Sequence, residues 1–168
     1  VIINIGTVHM EYLGSREGIR QAKMEITEGM SEKGLLLLNG DDAMLRNLDK
    51  QPVQRVNYFG TSEGCHIQGQ NVLQEEGTLS FQAEAGKLNI PVRLPLEGEH
   101  FVPDALAAVA VGLKLMVAPE KITQALSEFR NISGRQETFQ ADGYTIINDC
   151  YNAAPESMEA SLKVLGNK

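Results

Sequence analysis

A histidine and a lysine fourteen residues apart, His9 and Lys23, have the types and setting to do chemistry. His9 follows an apolar stretch, Val1-Ile-Ile-Asn-Ile5, where a strand would empty into a loop. Strand ends of this kind are where α/β proteins bind ligands. An imidazole there suits metal or substrate binding, or is simply structural or exposed. Lys23 lies in a helical pattern. With Ser15 as the helix start and roughly 100° per residue, Ile19, Ile26 and Met30 share one stripe and Lys23 falls inside it. Glu25 and Glu28 take the opposite face. An ammonium on an apolar face costs free energy unless it snorkels, pairs or changes chemically. Two readings stand: a snorkelling lysine, or an amine whose pKa burial depresses. In the second, the neutral amine is nucleophilic and can take up carbon dioxide as a carbamate. A cation would then become an oxygen ligand suited to Mg²⁺.

Two further groups carry polar chemistry. Gly98-Glu-His-Phe-Val-Pro-Asp-Ala-Leu-Ala-Ala108 is a polar turn that opens an apolar helix. The free N–H groups and dipole of such a helix start suit a polar or anionic ligand, although Asp104 there also fits a plain capping role. In Ser133-Gly-Arg-Gln-Glu137, Arg135 beside Gly134 could reach a phosphate with its fork of donors, or be a surface linker charge. Asn148 and Asp149 stand at the end of a strand pattern and before a helix, at a ligand edge or in an ordinary turn. Gly-x-x-x-x-Gly-Lys-Ser/Thr, Gly-x-Gly-x-x-Gly, a serine nucleophile elbow and zinc-ligand spacing are all absent from the sequence.

The elements that must position these residues follow from periodicity. Val1–Ile5 reads as a strand, Ser15–Met30 as a helix capped by Ser15, and Leu35–Leu38 as a strand covered on both faces. Asn39-Gly-Asp-Asp42 caps a short helix to about Leu48, and Val53–Phe59 is a third strand. This alternation predicts a parallel sheet with right-handed crossovers. Shorter alternating segments, His66–Leu73, Thr78–Ala85 and Lys87–Leu94, predict antiparallel strands. Pro103–Val117 is apolar nearly all round and so a buried helix; Pro119–Phe129 is another. Gln136–Ala141 and Tyr144–Ile147 flank Asp142-Gly143, a hairpin signal, and Pro155–Leu165 closes the chain as a helix.

The chain has 168 residues, 42% of them hydrophobic, which is enough for a substantial core. A net charge of −7 argues against a broad nucleic-acid or anionic-membrane surface. Cys65 and Cys150 form no paired motif and read as free, buried thiols in a reducing compartment. The sequence has no signal peptide and no membrane-length apolar run. It opens inside an apolar segment without an initiator methionine, which predicts a piece of a longer chain.

Asn4-Ile-Gly-x-x-His9, Leu13-Gly-Ser-x-Glu17, Ala22-Lys-x-Glu-Ile26, Gly134-Arg-x-Glu137 and Asp149-x-Tyr-Asn-Ala-x-Pro-x-Ser-Met158 occur in this order. As an ordered set they resemble the Mur ligases, ATP-dependent amide-forming enzymes of peptidoglycan synthesis. The Tyr-Asn-Ala-x-Pro-x-Ser-Met run is most similar to the branch that adds D-Ala-D-Ala to UDP-N-acetylmuramoyl-tripeptide. The resemblance implies an α/β fold: a partial central ATPase domain over 1–132, with a parallel sheet plus a small antiparallel one, and the start of an α/β C-terminal domain over 133–168. It implies a cytoplasmic, monomeric enzyme using ATP and Mg²⁺. ATP would phosphorylate the tripeptide carboxylate, and the dipeptide amine would attack the acyl phosphate. His9 and a carbamylated Lys23 would support Mg²⁺. His100, Asp104, Arg135, Asp149, Tyr151 and Asn152 would line the nucleotide, with Lys23, His9 and Arg135 as the catalytic set.

The resemblance has departures. The family's His-Asn-x-x-Asn becomes His100-Phe-x-x-Asp104, and an ionised aspartate accepts but cannot donate to adenine. Asn148 and Ala154 also stand where aspartate and asparagine are frequent. The family's UDP-sugar domain, phosphate loop and a glutamate for a first Mg²⁺ would precede Val1, so the piece alone is expected not to ligate. Two other readings remain: a non-catalytic binding or scaffold module of the same fold, and another Mur-type or folylpolyglutamate-type ligase.

Overall fold

The computed structural model describes residues 1–48, 52, 54–75 and 77–166. Strands β1 (Leu35–Asn39), β2 (Arg55–Gly60), β3 (Ile67–Glu75), β4 (Thr78–Ala85) and β5 (Leu88–Leu94) form one sheet in sequence order. β1 pairs parallel with β2 and β2 with β3, whereas β3–β4 and β4–β5 are antiparallel. The switch from parallel to antiparallel pairing thus falls on β3. There Asn71, at φ 54, marks a register shift between Gln70 and Leu73 that bends the strand. Val53, the expected start of the third strand, lies outside the described residues.

Both faces of β1 are covered, which explains its unbroken leucine run. Leu37 joins a large core with Phe59, Phe81, Leu106 and Val109, on the side of helices α4 (Val102–Lys114) and α5 (Pro119–Ser127). Leu36 and Leu38 join a smaller core with Ile2, Ile5, Ile19 and Leu45. That second side carries α1 (Met10–Leu13), α2 (Arg16–Met24) and α3 (Ala43–Arg46). β4 and β5 bury alternate residues, as a sheet solvated on one face should.

Three expected elements differ. Val1–Ile5 forms a single parallel bridge, Ile2 to Leu38, rather than a strand. From Asn4 onward its peptide groups bond to side chains instead of to a neighbouring strand. The expected Ser15–Met30 helix ends at Met24 and tightens into a 3-10 turn over Glu25–Thr27. The tighter turn breaks the stripe's phase and leaves Ile26 49% exposed. The expected buried helix to Val117 stops at Lys114. Met116 takes φ 59, and the N–H groups of Met116 and Val117 return to the carbonyls of Leu113 and Gly112, a Schellman termination that exposes Leu115 and Met116.

Beyond α5, β6 (Glu137–Ala141) and β7 (Tyr144–Asn148) form a separate two-stranded sheet, followed by α6 (Pro155–Gly166). Asp142 and Gly143 both have positive φ, 49° and 81°, the geometry that a two-residue hairpin loop favours.

Candidate active site

The first part of the site is an open cleft of about 590 Å³ lined by Asn4, His9, Ala22, Lys23, Glu156 and Ser157, among others. His9 is the residue before α1, in the left-handed conformation at φ 68, and is exposed. Ser15 caps α2 by accepting from the Gly18 N–H at 3.2 Å, and α2 carries Lys23 in its last turn. Of the two readings of Lys23, the buried amine does not hold: its side chain is exposed. Its Nζ donates to the Asn4 carbonyl at 2.8 Å and lies 3.4 Å from Asn4 Oδ1. The helix therefore turns this lysine toward the mouth of the cleft rather than into the core. His9 and Lys23 share one cavity.

The chain around Ile5 is held by two charged side chains, Arg16, which no sequence pattern singled out, and Asp42, which read only as a helix cap. The Ile5 N–H donates to Asp42 Oδ2 at 2.6 Å, and Asp42 Oδ1 accepts from Met44 N–H, capping α3. Arg16 donates to the Ile5 carbonyl through Nε and Nη2 at 3.2 and 2.7 Å.

The second part lies on the segment around the hairpin. The Arg135 guanidinium stacks over the Tyr151 ring, 3.9 Å from its centroid. Tyr151 N–H donates to the Gly134 carbonyl, so the turn after β7 folds back on the residue preceding Arg135. Asp149 accepts from the Gln136 N–H at 3.2 Å and from the Ser161 hydroxyl. Glu137 accepts from Ser133, Gly134 N–H and Asn148, and these bonds, the Ser133 hydroxyl first, hold its carboxyl below the usual range. Asn152 Oδ1 accepts from Ala153 N–H, a local turn bond.

His100, in the turn just before α4, flanks this part through Gln136 and Asp149. The His100 ring lies 4.2 Å from the Phe101 ring, and Gly98 before it takes φ 116, a backbone conformation that favours glycine. Although much of His100 is open to solvent, partial desolvation pushes its pKa below the ordinary histidine value, opposed by a Gln136 hydrogen bond and by Asp149. Asp104 is in the first turn of α4 at an exposed position, and no side chain caps that helix at its N-cap, Phe101. Desolvation by the surrounding protein raises its carboxyl pKa.

Glu156 joins the two parts. It accepts from the Thr7 hydroxyl at 3.0 Å, lines the His9–Lys23 cleft, and also lines a groove of about 760 Å³ that contains His100. Bonds from its own backbone N–H and from Thr7 lower its pKa. Nothing in the local pattern distinguishes Glu156 from an ordinary first-turn acid; its partner is 149 residues away. Among the described residues, no group of three or more histidine, cysteine and acidic side chains is arranged to hold a metal ion.

This layout has counterparts among known proteins. Residues 1–112 match the Mur ligase middle domain, and the chain belongs to the Mur ligase family. Over 165 residues it is 38% identical to the UDP-N-acetylmuramoyl-tripeptide–D-alanyl-D-alanine ligase of Bacillus subtilis, covering 98% of this chain and 35% of that protein. The ligase of the same name from Mycobacterium tuberculosis is 36% identical over 170 residues, 98% of this chain and 33% of the relative. A crystal structure of MurF from Acinetobacter baumannii superposes with a TM-score of 0.87 at 31% identity, covering 99% of this chain and 36% of that one. MurF from Thermotoga maritima, in complex with ADP, gives 0.81 at 25% identity, with 98% and 38% covered. The chain spans about a third of the length of these relatives. No helix among the described residues is long and apolar enough to cross a membrane.

Proposed function

We propose that this chain is part of a cytoplasmic, ATP-dependent ligase that joins D-alanyl-D-alanine to UDP-N-acetylmuramoyl-tripeptide in peptidoglycan synthesis. Residues 1–132 belong to its central nucleotide-binding domain and 133–168 begin its C-terminal domain. The observation that carries this reading is the shared cleft of His9 and Lys23, walled by the start of α6, in a chain similar throughout to ligases of that name.

The cleft as it stands presents an ammonium, which repels a divalent cation. It is also open enough to admit carbon dioxide to the exposed Lys23 amine. The unprotonated amine adds to the carbon, and the nitrogen then loses a proton to water. The product supplies hard oxygen donors beside the His9 imidazole, with the Glu156 carboxylate on the same wall. That donor set suits Mg²⁺, whose chemistry would be to neutralise phosphoryl oxygens. His9 and carbamylated Lys23 would hold it.

The other side chains bind and orient. Arg135, held over the Tyr151 ring, offers its donor fork to nucleotide phosphates. Asp149, tied to Ser161 and Gln136, faces the nucleotide from the hairpin side with Asn152 beside it. His100 and Asp104 approach from α4, with Asp104 limited to accepting when ionised. Lacking the phosphate-loop motif, the 168-residue chain alone does not ligate.

The test is Lys23→Ala in the full-length protein. Ligation is expected to fall by at least about 100-fold, as loss of a group that stabilises charge in the transition state does, with partial recovery on adding short carboxylic acids. Unchanged activity in that variant overturns the proposal.

A further inference from the structure

The cleft residues need a rigid floor, and the structure supplies an unusual one. Three charged side chains, Arg16 and Lys23 from α2 and Asp42 from the N-cap of α3, converge on two consecutive peptide units. In the Asn4–Ile5 peptide, the carbonyl accepts from Lys23 Nζ at 2.8 Å while the N–H donates to Asp42 Oδ2 at 2.6 Å. In the Ile5–Gly6 peptide, the carbonyl takes the fork of Arg16. The Ile5 side chain between them is buried in the smaller core.

We propose that Arg16 and Asp42 are positioning residues for this cleft: they grip the two peptides flanking Ile5 and so fix both the Lys23 amine and the loop that carries His9. The inference rests on the proposed role of that cleft, but its geometry is independent of it.

Asp42 makes a charge-assisted bond to one end of the peptide that Lys23 holds at the other, and a peptide polarised at its N–H is a better acceptor at its oxygen. The Arg16 fork fixes the direction of the next carbonyl, hence the path through Gly6, Thr7 and Val8 to His9. Finally, a lysine carbamate keeps one N–H. The Asn4 carbonyl can therefore hold Nζ before and after modification, leaving the new carboxylate to project into the cleft.

The experiment uses the full-length protein and two variants. Asp42→Ser retains an N-cap oxygen for α3 but cannot also serve the Ile5 N–H. Arg16→Lys keeps the charge and loses the fork. Reaction of Lys23 with an amine-acylating reagent is followed by peptide mass spectrometry against exposed Lys121 in the same digest. Loss of one hydrogen bond is expected to speed Lys23 labelling about fivefold in each variant. The melting temperature should stay within a few degrees, and ligation kcat should drop more than KM rises. Unchanged Lys23 labelling in both variants overturns the clamp. Faster labelling combined with full activity of Lys23→Ala keeps the clamp and overturns the cleft's proposed function instead.

Discussion

The five-stranded sheet and the terminal hairpin draw on the same kinds of residues but bury them to very different degrees. Phe59 and Leu79 of the sheet and Leu106 and Val109 of α4 are fully buried where the sheet meets its helices. In the hairpin, the register puts Phe139 opposite Ile146 and Ala141 opposite Tyr144, so these four share one face. Phe139, Ile146 and Tyr144 are exposed, the last by 73%. Along α6, Met158, Leu162 and Leu165 form an exposed stripe, and Val164 alone of its residues is buried. A two-stranded sheet is marginal in water by itself. The chemistry is divided unevenly between these regions. His9 and Lys23 stand on the packed region; Arg135, Asp149 and Tyr151 stand on the unpacked one. Their relative placement depends on a few contacts: Thr7 to Glu156, Gln136 to the Glu97 carbonyl, and Val164 near Gly98.

The largest effect should separate the two regions directly. Phe59→Ala is expected to cost about 3–5 kcal/mol in urea unfolding of the 168-residue chain, the usual loss for a buried phenylalanine. Phe139→Ala should stay within about 0.5 kcal/mol, as for an exposed position. Equal losses would break the contrast.

The next effect concerns His100, on the border between the regions. Its folded-state pKa lies below the ordinary 6.5, mainly through desolvation. Between those two values the unfolded chain binds more protons, so stability rises with pH and is lost as pH falls through that window. His100→Gln should flatten the melting temperature measured from about pH 7 downward. An unchanged slope would remove His100 as its source.

Asp104 gives a smaller effect of opposite sign. Desolvation raises its folded pKa above the ordinary 3.8. Between those values the folded chain binds more protons, so stability falls as pH rises and the cost persists above both. Asp104→Asn is expected to lift the neutral-pH melting temperature only slightly, because solvent screens the cost at this exposed position and the first turn of α4 favours an anion. If this residue meets adenine, restoring a donor should also tighten ADP binding by the full-length protein about fivefold.

Thr7→Val should do least. It removes one exposed hydrogen bond, worth under about 1 kcal/mol. Amide exchange should rise over residues 156–158 and stay unchanged in β1. A response in β1 would mean that this contact also supports the larger sheet.

Much of the architecture was legible along the chain. The leucine run of β1, the alternation of β4 and β5 and the Asp142-Gly143 turn are local signals, and each element formed where its pattern lay. Lys23 was found by a stripe that holds only in part. Ile26 leaves it where the helix tightens after Met24, whereas Lys23, four residues on from buried Ile19, carries its amine out to the Asn4 carbonyl and solvent. It belongs with His9 because both line one cavity, not because either is buried. Asp42 read only as a cap for α3, and its second oxygen is committed to a peptide 37 residues upstream. No periodicity encodes such a partner.

By itself the sequence determined the order and type of most elements, the ordered motif set and the residue types available for catalysis, because these depend on short-range propensity and spacing. Only the tertiary structure decided which of those residues meet. It set Lys23 against the Asn4 carbonyl, Glu156 against Thr7 and the grip of Arg16 and Asp42 on Ile5, because contacts between distant segments are selected by packing of the whole sheet and its helices rather than by any local stretch.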